Sequence, residues 1–154
     1  MIEVGARSEL IYRIPEGRTV PDLYPDSPEF QQIPAVFATG YLVGLMEWAC
    51  ARHLHPHLSP GQTSVGTHID VSHVAPSLPG MTVTVQVEVT AVQGRRIRWS
   101  VQARDDRDNI GEGIHHRAII DTEQFIARIN VKATDISVPP LTRLPHAPIA
   151  APTL

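Results

Sequence analysis

Glu47 is the residue of this sequence with the clearest potential for chemistry. It lies between Met46 and Trp48, in a run that is rich in Leu, Met and Ala. A carboxylate in apolar surroundings is costly to bury without a partner, and perturbed carboxylates cluster at functional sites. We therefore interpret Glu47 as a candidate general base or nucleophile. The alternative is a solvent-facing glutamate that shares a polar strip with Arg52.

Thr39 and His73 are the two residues that could act with this carboxylate. Thr39 stands near a predicted helix start, where threonine often serves as an N-cap and where free N–H groups can stabilise a developing oxyanion. Thr39 and Glu47 would lie about 12 Å apart along a regular helix. They would need a substrate between them, an irregular helix start, or two subunits. His73 is either a core residue or a neutral imidazole that moves protons near neutral pH.

One helix and a sheet are predicted to position these side chains. Residues 35–54 have helical composition and are followed by the helix-stopping Pro56. Apolar residues surround this helix, which predicts burial on all sides, and Gly40 and Gly44 offer a face for close backbone approach. Alternation with a period of two predicts strands over residues 8–14, 64–73, 81–90, 97–103 and 110–121. The last four strands are joined by short turns, which predicts an antiparallel meander.

The second predicted strand matters most for the site. Its odd-numbered residues Val65, Ile69 and His73 are predicted to share one face towards the helix. Gly111 and Gly113, in the last strand, are expected to mark a bulge or a close backbone approach.

The fold class follows from the packing that these elements require. One apolar helix and one sheet with an apolar face must bury each other, which predicts an α+β hot-dog fold with the sheet wrapped around a central helix. The edges of the sheet and the helix face that contains Gly40 and Gly44 would remain exposed in a single chain, so we expect a dimer. Residues 1–137 are predicted to form the single domain. A proline-rich lid spans about residues 17–34, and residues 138–154 form a disordered proline-rich tail.

Composition argues against several classes of protein. The chain has 154 residues, with 13 basic and 16 acidic groups and a net charge of −3, which does not suit a non-specific nucleic-acid binder. Its single cysteine, Cys50, argues against a disulfide framework. The N-terminus lacks the features of a secretory signal, and no uncharged stretch is long enough for a membrane span. We expect a cytoplasmic protein without nucleic-acid or membrane partners.

Metal binding is not expected either. The segment HLHPH contains three closely spaced histidines, His53, His55 and His57, and histidine is a common metal ligand. Pro56 breaks the helix between them, however, so His53 and His57 lose the fixed i, i+4 geometry of a ligand pair. We interpret them as a solvated helix end.

A family resemblance emerges from three long segments. LYPDSPEFQQIPAVFATGYLVGLMEWAC (residues 23–50), SVGTHIDVSHVAPSLPGMTVTVQVEV (64–89) and GEGIHHRAII (111–120) closely resemble the fluoroacetyl-CoA thioesterases of the hot-dog superfamily. The likeness extends from about residue 18 to residue 125. It implies three catalytic residues, Thr39 in VFATG, Glu47 in GLMEWA and His73 in VSH. It also implies that the Gly66 backbone lies beside the acyl group and that Arg117 belongs to the pocket region.

The resemblance also implies a function. It predicts hydrolysis of a short acyl-CoA to the free acid and CoA by a homodimer or a dimer of dimers, with no cofactor apart from the CoA of the substrate. The family's lid carries two phenylalanines near the acyl pocket; Phe30 matches the first, but Ile33 replaces the second, which puts fluoroacetyl selectivity in doubt. A non-catalytic acyl-CoA sensor and an acyl-CoA hydratase are the alternatives.

Overall fold

The computed structural model, which describes residues 1–142, contains a five-stranded sheet that frames the unit formed by the first 120 residues. The predicted tail beyond residue 142 lies outside the described residues. The five predicted strands are confirmed, and they lie in the spatial order β1-β3-β4-β5-β2. Their bounds are β1 Arg7–Arg13, β2 Gln62–Val71, β3 Thr82–Gln93, β4 Arg96–Arg104 and β5 Asn109–Asp121.

The predicted meander is right for β3, β4 and β5 and wrong for β2. The first three pair antiparallel, and β3 and β4 are joined at Gly94, whose φ of 59° suits a tight turn. β2 instead lies at the edge beside β5, where Ser72 N–H donates to the Glu112 carbonyl at 2.8 Å. The stretch after β2, which contains Pro76, is long enough to cross the sheet, so a short turn does not follow.

One face of the sheet packs on the long helix α3, Thr39–Leu54. The alternation of β3 and β4 places a row of valines and Trp99 in the core. α3 contributes its own buried face to the same core, made of Leu42, Leu45, Met46, Ala49, Cys50 and Leu54. The apolar residues of the strands and the apolar residues of the helix thus pack against each other in one core.

Two expectations for this helix are corrected. It begins at Thr39 rather than at residue 35, because Phe37 is held in an extended bridge with Thr19 and Ala38 is the N-cap. Thr39 is therefore the first helical residue and not the cap. The helix is also not buried on all sides, since 51% of Trp48 is exposed and a Cβ on Gly44 would meet no atom within 4 Å.

The predicted lid contains two one-turn helices, α1 (Val20–Leu23) and α2 (Pro28–Gln31). Gln31 Nε2 donates to the Pro21 carbonyl at 2.9 Å and so ties the two turns together. The lid packs on the start of α3, because a Cβ on Gly40 would lie 2.7 Å from Leu23 Cδ2. Gly40 therefore allows the lid to sit directly on the helix.

The predicted orientation of β2 is only partly right. Val71 packs against the core, and His73, just beyond the strand end, contacts Thr39 of α3, as predicted. In the first half of the strand, however, Ser64 and Gly66 lie towards Arg117 and Glu47, and Ile69 is exposed. An apolar alternation in an edge strand does not reveal which face the core covers. The expected close approach at the glycines of β5 is confirmed, since a Cβ on Gly111 or Gly113 would overlap a carbonyl oxygen of the chain beside it.

The second unit, which begins at Asp121, contains helix α4, Thr122–Asp135. This helix was not predicted from the sequence, although Phe125 and Ile129 have helical i, i+4 spacing. Beyond it, Leu141 N–H donates to Asn130 Oδ1 at 2.8 Å. The single domain over residues 1–137 stays a prediction.

A buried carboxylate fixes the loop that precedes α3. Asp105, in the β4–β5 turn, accepts hydrogen bonds from Ser77 Oγ at 2.7 Å and from the Asp108 N–H at 2.7 Å. The Ser77 carbonyl in turn accepts the Phe37 N–H at 2.8 Å. Burial acts to raise the pKa of Asp105, but these hydrogen bonds and Arg107 outweigh it and leave the pKa lowered.

Asp105→Ala should lower the free energy of unfolding by about 2–3 kcal/mol at pH 7, because Ser77 and two backbone N–H groups lose their acceptor. Since the folded-state pKa is depressed, the stabilisation is present above the unfolded pKa of about 3.9 and is lost as the pH falls through the folded value. Urea denaturation from pH 7 to pH 3 measures both effects. The exposed control Asp26→Ala should stay within about 0.5 kcal/mol of wild type; equal stabilities of the two variants would refute the role given to Asp105.

Candidate active site

The carboxylate of Glu47 is held by a buried arginine. Its Oε1 accepts a hydrogen bond from Arg117 Nη1 at 3.0 Å. The Arg117 side chain is 7% exposed and that of Glu47 is 44% exposed. Arg117 also donates from Nε to Ser64 Oγ and from Nη2 to the Ser64 carbonyl, both at 2.9 Å. The carboxylate thus has a fixed position at the junction of α3, β5 and β2, with part of its surface open.

His115 supports this arginine from the same face of β5. Its Nδ1 lies 2.8 Å from the His68 carbonyl, and its Nε2 lies 3.2 Å from Arg117 Nη1. Because arginine only donates, His115 Nε2 must accept and Nδ1 must carry the proton. Burial lowers the pKa of His115, which favours this neutral form. His115 was not predicted to belong to the site, although its spacing of two residues from Arg117 in a strand places both side chains on one face.

The backbone of β2 approaches the carboxylate closely at Gly66. A Cβ there would lie 2.5 Å from Glu47 Oε1 and 3.2 Å from His115 Cε1. Such a distance is too short for any side chain, so glycine is required if the carboxylate is to stay where Arg117 holds it. Gly66 was predicted to lie beside the acyl group. In the structure, its backbone lies against the carboxylate of Glu47.

Thr39 and His73 form a second cluster at the start of α3. Thr39 Oγ1 lies 2.8 Å from His73 Nδ1. Burial lowers the pKa of His73, partly offset by a hydrogen bond with the Ala75 backbone, so the imidazole is neutral at neutral pH. His73 Nε2 is buried and has no hydrogen-bond partner within residues 1–142. This pair can orient a hydroxyl and transfer a proton.

An apolar cleft of about 470 Å³ lies against this pair and beneath the lid. Phe30 and Ile33, the two predicted lid contacts, both line it. The ring of Phe30 is fixed by Tyr24, whose ring centroid lies 5.8 Å away in an edge arrangement. The remaining lining residues are Val20, Leu23, Val36, Phe37, Ala38, Gly40, Val74, Ala75 and Pro76.

The sequence-predicted residues therefore fall into two groups. The structure brings Glu47, Gly66 and Arg117 together, and it brings Thr39 and His73 together with the lid. Within the described part of the chain, no hydrogen bond joins the two groups, and their positions on α3 are separated by about 12 Å along the axis. The candidate residues thus form two separate clusters in one chain.

Cys50 and His53 are reactive residue types that lie outside the two clusters. The thiol of Cys50 is buried, and burial raises its pKa to about 12, so it is not a nucleophile near neutral pH. His53 Nδ1 lies 3.4 Å from Trp99 Nε1, at the end of α3. Residues 1–142 contain no group of three His, Cys, Asp or Glu side chains that could hold a metal ion.

The arrangement of one long helix against a curled five-stranded sheet places the chain in the hot-dog thioesterase superfamily. A Thermus thermophilus protein described as a thioesterase superfamily member superposes with a TM-score of 0.79 at 25% identity, over 89% of this chain and 97% of that one. No helix within residues 1–142 is long and apolar enough to cross a membrane.

The similarity narrows to one family. The family model for fluoroacetyl-CoA-specific thioesterase matches residues 24–123. Fluoroacetyl-CoA thioesterase from Streptantibioticus cattleyicolor is 50% identical over 131 residues, covering 85% of this chain and 94% of that protein. A solved structure of a fluoroacetyl-CoA thioesterase superposes with a TM-score of 0.84, covering 86% of this chain and 98% of the other. The chain belongs to the fluoroacetyl-CoA-specific thioesterase family, as its sequence motifs indicated.

Gly66→Ala tests whether the position of the carboxylate matters. The added methyl group must push Glu47 away from Arg117, and a displacement of about 1 Å at a reacting group can cost about 100-fold in rate. We expect kcat/KM for acyl-CoA hydrolysis to fall by about that factor, with little change in the melting temperature. Gly44→Ala is the matched control on α3, because its Cβ meets no atom within 4 Å. Equal rates for the two variants would contradict the assignment.

Proposed function

We propose that this protein hydrolyses short acyl-CoA thioesters to the free acid and CoA, with Glu47, Thr39 and His73 as its catalytic residues. The observation that carries the proposal is the Glu47 carboxylate, held by Arg117 at 3.0 Å with the β2 backbone packed against it at Gly66. A carboxylate fixed in this way can attack a thioester carbonyl or deprotonate a water molecule. The family relationship, to an enzyme named fluoroacetyl-CoA thioesterase, supports the same chemistry.

Both routes use the same proton and electron balance. In the general-base route, water adds its oxygen to the acyl carbon and gives a proton to Glu47, and the C–S bond breaks. In the nucleophilic route, Glu47 forms an acyl anhydride that water then hydrolyses. In either route the CoA thiolate leaves and gains the proton that the attacking water loses. His73, which is neutral and lines the cleft, passes this proton on, so that Glu47 returns to its carboxylate form. Thr39 orients the acyl group, and the Gly66 N–H assists in polarising its carbonyl.

Arg117 acts in this scheme as a positioning residue. From the family resemblance it was predicted to belong to the pocket region. Its guanidinium is occupied by Glu47 and Ser64, so its main contribution is to fix the carboxylate. CoA enters as part of the substrate, and the scheme requires no separate cofactor.

A second copy of the chain completes the site in this proposal. Thr39 and Glu47 lie too far apart along one helix to contact the same carbonyl group. β2, which carries Gly66, is an edge strand with exposed residues such as Thr67 and Ile69. Two protomers related by a two-fold axis along this edge would place the Thr39–His73 pair of one opposite Glu47 of the other. We therefore propose a homodimer with two shared sites.

Mixed dimers test the shared site directly. Thr39→Ala and Glu47→Ala should each lower kcat/KM by at least about 100-fold. When the two variants are co-expressed in equal amounts, random pairing should restore about a quarter of the wild-type sites, because each heterodimer regains one intact site. Thiol release with acetyl-CoA measures this. If the isolated heterodimer is as inactive as its parents, each site lies within one chain.

The pH dependence of the rate tests the role of His73. Because burial lowers its pKa below the ordinary value of about 6.5, the imidazole should be neutral at pH 7 and become charged only at lower pH. We expect kcat/KM to be flat near pH 7 and to fall along an acid limb whose midpoint lies below 6.5. His73→Asn should lower the rate and remove this limb. An unchanged limb in the variant would contradict the assignment to His73 and would point to His115, whose pKa is also lowered by burial.

Two other functions are separated by the same assays. A hydratase of this fold would need an Asp/His pair on the helix and at its start, whereas α3 offers Glu47 and Thr39. A non-catalytic acyl-CoA sensor would bind the ligand without releasing thiol. Because CoA thioesters are intracellular metabolites and Cys50 is a free thiol, we assign the protein to the cytoplasm.

A further inference from the structure

The cleft beneath the lid is lined almost entirely by hydrocarbon. Its aliphatic walls come from the lid, from the chain before α3 and from the residues that follow His73. Thr39 and His73 are its only polar side chains, and they are hydrogen-bonded to each other at 2.8 Å. From this chain, a bound acyl group would therefore meet the Thr39–His73 pair at its reactive end and apolar side chains along the rest of the lining.

No charged side chain is among the residues that line this cleft. A carboxylate at the far end of an acyl group, as in malonyl or succinyl thioesters, would lose part of its hydration against this lining and would find no cationic partner among these residues. Burying an unpaired charge carries a large penalty. The lining thus discriminates against dicarboxylic acyl groups.

The cleft is also larger than an acetyl group requires. Its volume is about 470 Å³, whereas one water-sized group takes up about 30 Å³ in the liquid. An acetyl thioester with the adjoining end of its CoA arm would leave space for several more methylene groups. Ile33 faces part of this space and is 40% exposed, so its side chain leaves apolar surface for a ligand to cover.

We propose that the preferred substrate carries an uncharged aliphatic acyl chain of about four to six carbons, which lies in the cleft beneath Phe30 and Ile33. The proposal rests on the thioesterase function proposed above and specifies its substrate class. Its physical cause is the burial of additional methylene groups against the lid.

A panel of acyl-CoA substrates tests the proposal. With wild-type protein, kcat/KM should rise about fourfold for each added methylene from acetyl to butyryl, and hexanoyl should remain above acetyl. Succinyl-CoA should be at least about 100-fold poorer than butyryl-CoA. An acetyl or fluoroacetyl optimum, or succinyl-CoA turned over as fast as butyryl-CoA, would overturn the substrate class but leave the thioesterase intact. If none of the thioesters releases thiol, the proposed function itself fails.

Ile33→Phe separates the cleft from a general effect of chain length. The larger ring should fill the space beside Phe30, so the ratio of kcat/KM for hexanoyl-CoA to that for acetyl-CoA should fall by about tenfold or more. Ile11→Phe makes the same change on β1, at an exposed residue outside the cleft lining, and should leave the ratio unchanged. If Ile33→Phe keeps the wild-type ratio, the longer acyl chain does not lie beneath the lid.

Discussion

The arrangement of this site depends on how the Arg117 guanidinium is satisfied. A buried guanidinium cannot lose its charge, so its N–H groups must find acceptors in the fold. Ser64 on β2, Glu47 on α3 and His115 on β5 supply them at 2.9 to 3.2 Å. These contacts connect the edge strand, the central helix and the last strand, and they hold the carboxylate that the proposed reaction needs.

Several features of the sequence follow from this constraint. The β2 backbone must come close to the carboxylate, and only glycine at position 66 permits this approach. His115 must stay neutral to accept from Arg117, and its burial keeps it so. The same requirement explains why β2 turns Ser64 and Gly66 inward and leaves Ile69 exposed. Polar contacts, rather than apolar alternation, set the orientation of this strand.

The parts of the fold that could be predicted are those set by local pattern. The alternation of apolar and polar residues identified β3, β4 and β5, and the composition of residues 39–54 identified α3. Such patterns arise because burial of one face requires apolar residues at regular intervals. The position of β2 beside β5 could not be predicted, because it depends on pairing between distant segments. Helix α4 was missed although Phe125 and Ile129 have helical spacing. The start of α3 was placed four residues early because Phe37 is held extended by a bridge to Thr19.

The candidate site also has features that could be predicted from the sequence and features that could not. Residue types and the family motifs identified Glu47, Thr39 and His73, and the fold explains their grouping. The pairing of Glu47 with Arg117 joins residues 70 positions apart and left no local signal in the sequence. The role of the lid was signalled by its prolines and large apolar residues, but the aliphatic cleft beneath it depends on the packing of Leu23 on Gly40.

The central claim is that Glu47 acts on a thioester held by the Thr39–His73 pair of another protomer. A crystal structure of the Glu47→Gln dimer with bound butyryl-CoA tests it most directly. We expect the thioester carbonyl carbon to lie about 3.5 Å from the residue 47 side chain of one protomer, or one water molecule away, and beside Thr39 of the other. A carbonyl carbon remote from residue 47 of both protomers would contradict the account.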